Sequence, residues 1–252
     1  ALVTAYLNNL ICAMTNSRFT EMTQQPDCPF IQALAQNESY MQLARTKDAM
    51  MLIGVAKDGK ETETVQAVTR EAKRIHDFGF TATEFARAKA DYLSSLEKMY
   101  TNRDKMKNEQ FANDYIENFL ENSPIPSVED LYQTMNILSQ QLPFELANQY
   151  AQQIINVDEK NLVVFQMEQE KEGKTYLTPE MMKTAVEGVR TETLEAWVDN
   201  VKEEPLMAEM PAKGQIVKET ENTTLGYQEL TLSNGAKKLR SEERRVGKEC
   251  RS

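Results

Sequence analysis

Apolar residues recur at three- and four-residue steps from the start of the chain. Leu2 or Val3, Tyr6, Leu7, Leu10, Ile11 and Met14 share one face of a helix, which the prolines of QQPDCP end. The period then changes. FIQALAQNESYMQLART and DAMMLIGVAKDG read as two strands, the second a nearly continuous apolar run closed by Asp58-Gly59. Val65, Val68, Ala72 and Ile75 return to helical spacing, and Gly79 stands where a left-handed C-cap is expected. Thr81 and Glu84 predict a capping box before a helix whose inward stripe is Phe85, Ala88, Tyr92, Leu96 and Met99. Further helices are predicted from Phe111, Tyr115 and Phe119, from Ser127 capping Leu131, Met135 and Leu138, and from Leu146, Tyr150 and Ile154. NLVVFQMEQE then takes on strand composition. Two or three strands packed by segregated helices predict an α+β fold, an antiparallel sheet covered by several helices.

After Gly173 the texture changes. Thr178-Pro179-Glu180 supplies an N-cap, a proline at the first helical position and an acid in the first turn, and the helical pattern is expected to run through Trp197 and Val198. EEPLMAEMPAKGQIVKETENTT, from Glu203 to Thr224, has prolines and no periodicity and reads as an extended linker. YQELTLSNGAKKL alternates around Asn234-Gly235, a hairpin signal that opens a new domain.

Charge narrows the partners. With a net charge of -10 over 252 residues, the chain repels phosphate backbones. The exception is a basic run, Arg240, Arg244, Arg245, Lys248 and Arg251, and the remainder is more acidic without it. No stretch approaches the roughly 18 unbroken apolar residues of a membrane-spanning helix. Cys12, Cys28 and Cys250 have no C-x-x-C spacing and read as free thiols.

Catalytic chemistry is sparse. His76 is the single histidine, so a zinc motif with two histidines on one helix turn cannot form from this sequence. Its expected role is structural, in the last turn of the helix before Gly79, favourable to that helix's dipole. There is no G-x-S-x-G and no phosphate-cradling glycine loop. The carboxylates of EQEKEGK and RTETLEAW read as solvated faces, and the 13 methionines as core filler.

LNNLICAMTNSRFTEMTQQPDCPF, RTKDAMMLIGVAKDGK, DFGFTATEFARAKADYLSSLEKMYTNRDK and PAKGQIVKETENTTLGYQELTLSNGAKK, in that order, resemble the insulinase/pitrilysin-type zinc metallopeptidases, in particular the large bacterial form with two homologous halves. The resemblance covers nearly all of residues 1–239. It implies that residues 1–172 are the non-catalytic second domain of the N-terminal half, 173–226 a helical and extended linker, and 227–239 the truncated first strands of the next peptidase domain. The family's H-x-x-E-H motif and distal glutamate lie in its first domain and have no counterpart in this sequence. The resemblance thus implies zinc in the parent protein and none bound by this stretch. It also implies a peptide substrate enclosed jointly with the parent's remaining domains, no nucleic-acid or membrane partner, and export to a periplasm or cell envelope. No catalytic and no metal-binding residue is assigned.

The equivalent segment of the family's opposite half carries an arginine and a downstream tyrosine that steady the substrate. NSRFTE retains Arg18, but the next aromatic is Phe30, which has no hydroxyl. Arg18 is therefore the one candidate substrate-binding residue, with a structural role, a solvent-facing salt bridge or a helix C-terminal contact, as the favoured reading. Where the family would continue an apolar strand past Leu239, residues 240–252 instead match a sequencing adapter translated in frame and are expected to be foreign to the protein. The competing class is a stand-alone α+β module that binds a partner helix through its amphipathic helices.

Overall fold

The break in periodicity at the two prolines becomes the first turn of the molecule. In a computed structural model, which describes residues 2–40, 44–158, 160–170, 172–173, 176–200, 214–224 and 226–241, helix α1 (Leu2–Thr23) stops before Pro26 and strand β1 (Phe30–Tyr40) returns antiparallel to β2 (Ala44–Ala56). Ala44, Arg45 and Thr46, read from sequence as the end of the first strand, open the second. Helices α2 (Glu61–Phe78), α3 (Ala82–Thr101), α4 (Asn108–Glu121), α5 (Val128–Gln141), α6 (Phe144–Ile154) and α7 (Pro179–Arg190) follow. The chain divides into two compact units, Ala1–Asn200 and Val201–Ser252.

The first unit is held by the stripe read from the sequence of α1. Tyr6, Leu7, Leu10, Ile11 and Met14 are all buried and join Ile75 of α2, Phe85, Ala88 and Leu96 of α3, and Ala147 and Ala151 of α6 in one cluster. A smaller cluster of Phe19, Cys28, Phe30, Ala35 and Ala67 seats β1 on α1 and α2. Asn16 ties the same elements through the backbone. Its Nδ2 donates to the Ala35 carbonyl at 3.1 Å and its Oδ1 accepts from the Ala35 N–H at 2.6 Å, satisfying both backbone groups of a residue whose register partner on β2 is Leu52.

Caps sit where the sequence puts them. Thr81 Oγ1 accepts from Glu84 N at 3.2 Å while Glu84 Oε2 accepts from Thr81 N at 2.7 Å. Ser127 caps α5 through Asp130 N, and Thr178 caps α7 through Met181 N. Gly79 departs from expectation. Its φ of 69° and ψ of -150° lie beyond the left-handed helical region, in backbone space that only glycine occupies readily. The chain reverses there so that Phe80 N can donate to Asn148 Oδ1 at 2.7 Å.

Three sequence readings give way. Residues 162–170 form neither helix nor strand and have no ladder partner among the described residues, although their composition is that of a strand. Val163, Phe165 and Met167 point to solvent, because strand composition needs a neighbouring strand before it forms one. The helix expected to run through Trp197 ends at Arg190, and a segment without helix or strand follows. The stretch read as linker contains a strand, β3 (Ile216–Asn222), while residues 201–213 lie outside the described residues.

The second unit is an antiparallel sheet in the order β3, β4 (Tyr227–Leu232), β5 (Lys237–Ser241). Leu232 N donates to Ala236 O and Gly235 N to Leu232 O, so the loop is three residues long, with Gly235 at φ 82° taking its left-handed position. Arg240 and Ser241, at the start of the stretch read as foreign, pair with Gln228 and Tyr227, and residues 242–252 lie outside the described residues.

Gly79→Ala forces a Cβ into the Asn148 side chain as well as into unfavourable backbone space. It should lower the unfolding free energy by at least about 1–3 kcal/mol in urea denaturation, whereas Asn148→Ala, which removes one hydrogen bond, should cost about 1 kcal/mol.

Candidate functional site

Arg18 falls four residues after Met14, on the same inward stripe of α1, and this spacing carries it into the core rather than to solvent. Its side chain is 1% exposed, like that of Glu71 on α2, and Glu84 on α3 is 3% exposed. The guanidinium grips Glu84 with two parallel bonds, Nε to Oε1 at 2.6 Å and Nη2 to Oε2 at 2.9 Å. Nη1 donates to Glu71 Oε1 at 2.8 Å, and Nη2 also donates to the Gly79 carbonyl at 3.0 Å. The Phe80 ring lies 4.6 Å from the guanidinium carbon and the Trp197 ring 5.2 Å from it. From the outer side, Arg74 Nε approaches Glu71 Oε2 at 3.1 Å, so two arginines balance two carboxylates.

The acid of the capping box thus serves two elements, because the carboxylate that closes the first turn of α3 also anchors α1. Burial alone would release the Arg18 proton more easily, but the hydrogen bonds and charges of Glu84 and Glu71 outweigh it and hold Arg18 above its ordinary range. Burial pushes the Glu71 carboxyl up, against the pull of Arg18 and Arg74. The solvent-facing salt bridge expected of Arg18 is replaced by a buried one. The guanidinium has no face toward solvent from which to meet a peptide. Phe30 is likewise interior, edge-on to Phe19 with ring centroids 6.0 Å apart. Sequence reading missed Glu71, although a signal existed. Arg18, Glu71 and Glu84 are charged residues at core positions of three helices, and such charges occur buried only when paired.

The irregular segment after α7 crosses this cluster. Glu192 accepts from Arg70 at 2.6 and 2.7 Å, and Arg74 Nη1 donates to the Glu195 carbonyl at 3.3 Å. Asp199 accepts from Arg87 at 2.8 and 3.1 Å and also from the Thr83 hydroxyl. The hydrogen bond from Arg87 holds the Asp199 carboxyl below its usual range, and that from Arg70 does the same for Glu192.

His76 sits in the last turn of α2 as expected, but it serves a different helix terminus. Its Nδ1 lies 2.9 Å from the Gln152 carbonyl and 3.2 Å from that of Ile155, at the C-terminal end of α6. Carbonyls only accept, so Nδ1 carries the proton. Among the described residues no three His, Cys, Asp or Glu side chains gather into a metal site. Cys12 and Cys28 are free thiols, Cys12 pushed up to about 11 by burial, and Cys250 lies outside the described residues. No described helix is long and apolar enough to cross a membrane.

This arrangement of helices on antiparallel strands is the insulinase-like α+β fold. The periplasmic protease PqqL from Escherichia coli superimposes with a TM-score of 0.64 at 21% identity, over 98% of this chain and 27% of that one. The first half of PqqL, solved alone, gives 0.61 at 18% identity over 79% of this chain and 42% of its own. A predicted insulinase family protease from Yersinia pestis gives 0.61 at 11% identity, over 75% of this chain and 39% of its own. In sequence, a zinc protease PQQL-like protein from Arabidopsis thaliana is 26% identical over 166 residues, which is 64% of this chain and 17% of the relative. No family model matches. The relatives are therefore a PqqL-like zinc protease and insulinase-family proteases, and the chain spans only a part of each, as a fragment of an insulinase-type metallopeptidase would.

Arg18→Met leaves Glu71 and Glu84 buried without their main partner and should cost about 3–5 kcal/mol in urea denaturation. Adding Glu71→Gln and Glu84→Gln to that variant should recover part of the loss. The depressed carboxyls of Asp199 and Glu192 set a pH dependence of opposite sign to that of a raised group. Their contribution is present above the ordinary carboxylate range and is lost as pH falls through their lowered values. Wild type should lose more stability on acidification than Asp199→Asn does, as read by thermal melts across the acid range.

Proposed function

We propose that this chain is a non-catalytic, substrate-enclosing portion of a zinc-dependent metalloendopeptidase, corresponding to the second domain of its N-terminal half followed by the start of its C-terminal half. In the whole protein, zinc and its ligands come from elsewhere in the polypeptide. There the metal polarises the scissile peptide carbonyl and activates water, while this portion supplies wall and scaffold. The observation that carries the reading is the extent of the likeness to PqqL, which runs over 98% of this chain yet takes in only 27% of the protease. The use of the only histidine as a clip between α2 and α6 supports it. A periplasmic or envelope location is proposed with it, on the likeness to a periplasmic protease. The proposed partners are a peptide substrate and the rest of the parent chain, with no nucleic acid and no membrane.

One observation favours a second reading, an interaction module. Helix α4 presents Phe111, Tyr115 and Phe119 at four-residue steps with 40%, 63% and 86% of each exposed, a stripe suited to a partner helix. Purified chain incubated with zinc and an unstructured peptide should give no cleavage above background, and chelator-sensitive cleavage would defeat the primary reading. The reading frame upstream of Ala1 separates the two. An H-x-x-E-H motif about one domain length away supports the peptidase, and an initiator methionine immediately before Ala1 supports the module.

A further inference from the structure

Residues 191–200 cross α2 and α3 without helix, ladder or turn after their first residue. Glu192, Leu194, Trp197 and Asp199 turn inward, Thr193, Glu195 and Val198 turn outward, and none of the ten residues is fully buried. The attachment is ionic at both ends. Arg70 and Glu192 are 34% and 35% exposed, while in the second pair Arg87 is 37% exposed and Asp199 6%. The first pair is open to water on both sides and the second on its arginine side, so water weakens and salt screens the first fully and the second in part. Between them the Trp197 ring lies 5.2 Å from the Arg18 guanidinium and 5.8 Å from that of Arg74. The indole Nε1 is buried and has no hydrogen-bond partner among the described residues, so no hydrogen bond from the indole fixes the ring in place.

Beneath it lies the reverse situation. Arg18, Glu71 and Glu84 are buried at the junction of three helices that share a continuous apolar core, with Trp197 over the outer face of the guanidinium. A segment with no internal backbone ladder, held by two ion pairs with partly exposed arginines, hydrogen bonds from Arg74 and Thr83 and one aromatic ring, lies toward the low end of local opening free energies.

We propose that residues 191–200 form an ionic strap that lifts from α2 and α3 as a unit while the helical body stays folded, and that its docking is what keeps water from the outer face of the Arg18 cluster. Docked, the strap holds the chain up to Asn200 against the first unit. Lifted, it frees that end and hydrates the guanidinium that joins α1 to α2 and α3. The proposal is independent of the peptidase reading, since it concerns only contacts within this unit.

Trp197 is the only tryptophan in the sequence and so reports on the strap directly. The test uses the full 252-residue chain, following Trp197 emission and acrylamide quenching alongside far-UV ellipticity during salt and urea titrations. The expected result is a red shift and increased quenching at urea concentrations below those that melt the helices, with the shift moving to lower urea as salt is raised. The Arg70→Ala/Arg87→Ala variant should show the shifted emission without urea, at unchanged ellipticity, and Asp199→Asn should fall between it and wild type. The proposal is overturned if emission and ellipticity trace one coincident transition in wild type, or if Trp197 stays as protected in the double variant as in wild type.

Discussion

A buried guanidinium with five donors and no acceptor must be surrounded by acceptors, and that requirement organises the first unit. Arg18 reaches Glu84, Glu71 and the carbonyl of Gly79, which lie on α3, on α2 and on the turn between them. The planar fork fixes the angle at which Glu84 is met, and Glu84 is in turn fixed by its bond to Thr81 N. A shift of any one helix would break a charge-assisted bond in the interior. Neutral packing of similar volume could match the stability of such a cluster. What the cluster adds is a defined geometry at the junction of three helices.

That geometry explains several features that otherwise look separate. Gly79 must take glycine-only backbone space because its carbonyl has to face Arg18 while the next N–H faces Asn148. Phe80, carried around by the same turn, places its ring against the guanidinium. His76, one turn earlier on α2, bonds the carbonyls that end α6. The end of α2 is thus a junction for α1, α3 and α6, and the sole imidazole of the chain belongs to it. In the proposed parent enzyme this unit would be rigid where its helices meet, with its exposed apolar surfaces, on α4 and along residues 162–170, elsewhere.

Local signals were legible wherever one residue's backbone preference or one helix's periodicity decided the outcome. The stripe of α1, the Thr81–Glu84 box, the Ser127 and Thr178 caps and the Asn234-Gly235 loop each follow from interactions within about five residues. The readings that gave way depended on distant partners. NLVVFQMEQE has strand composition, yet a strand exists only beside another strand. Trp197 follows a helical pattern, yet the segment that carries it lies across α2 and α3, where Glu192 and Asp199 meet Arg70 and Arg87. β3 lay in a stretch with no periodicity and exists because β4 pairs with it.

The sequence by itself determined the fold class, the extents of most helices and the lack of a histidine pair, because these depend on residue type and short-range spacing. Tertiary structure alone decided that Arg18, 53 residues from Glu71 and 66 from Glu84, lies between them. It also decided that the only histidine serves a helix terminus 76 residues away. The physical reason is that a charge on a helix face is equally compatible with solvent and with a buried partner. Only the packing of that helix against others removes the water and leaves the partner.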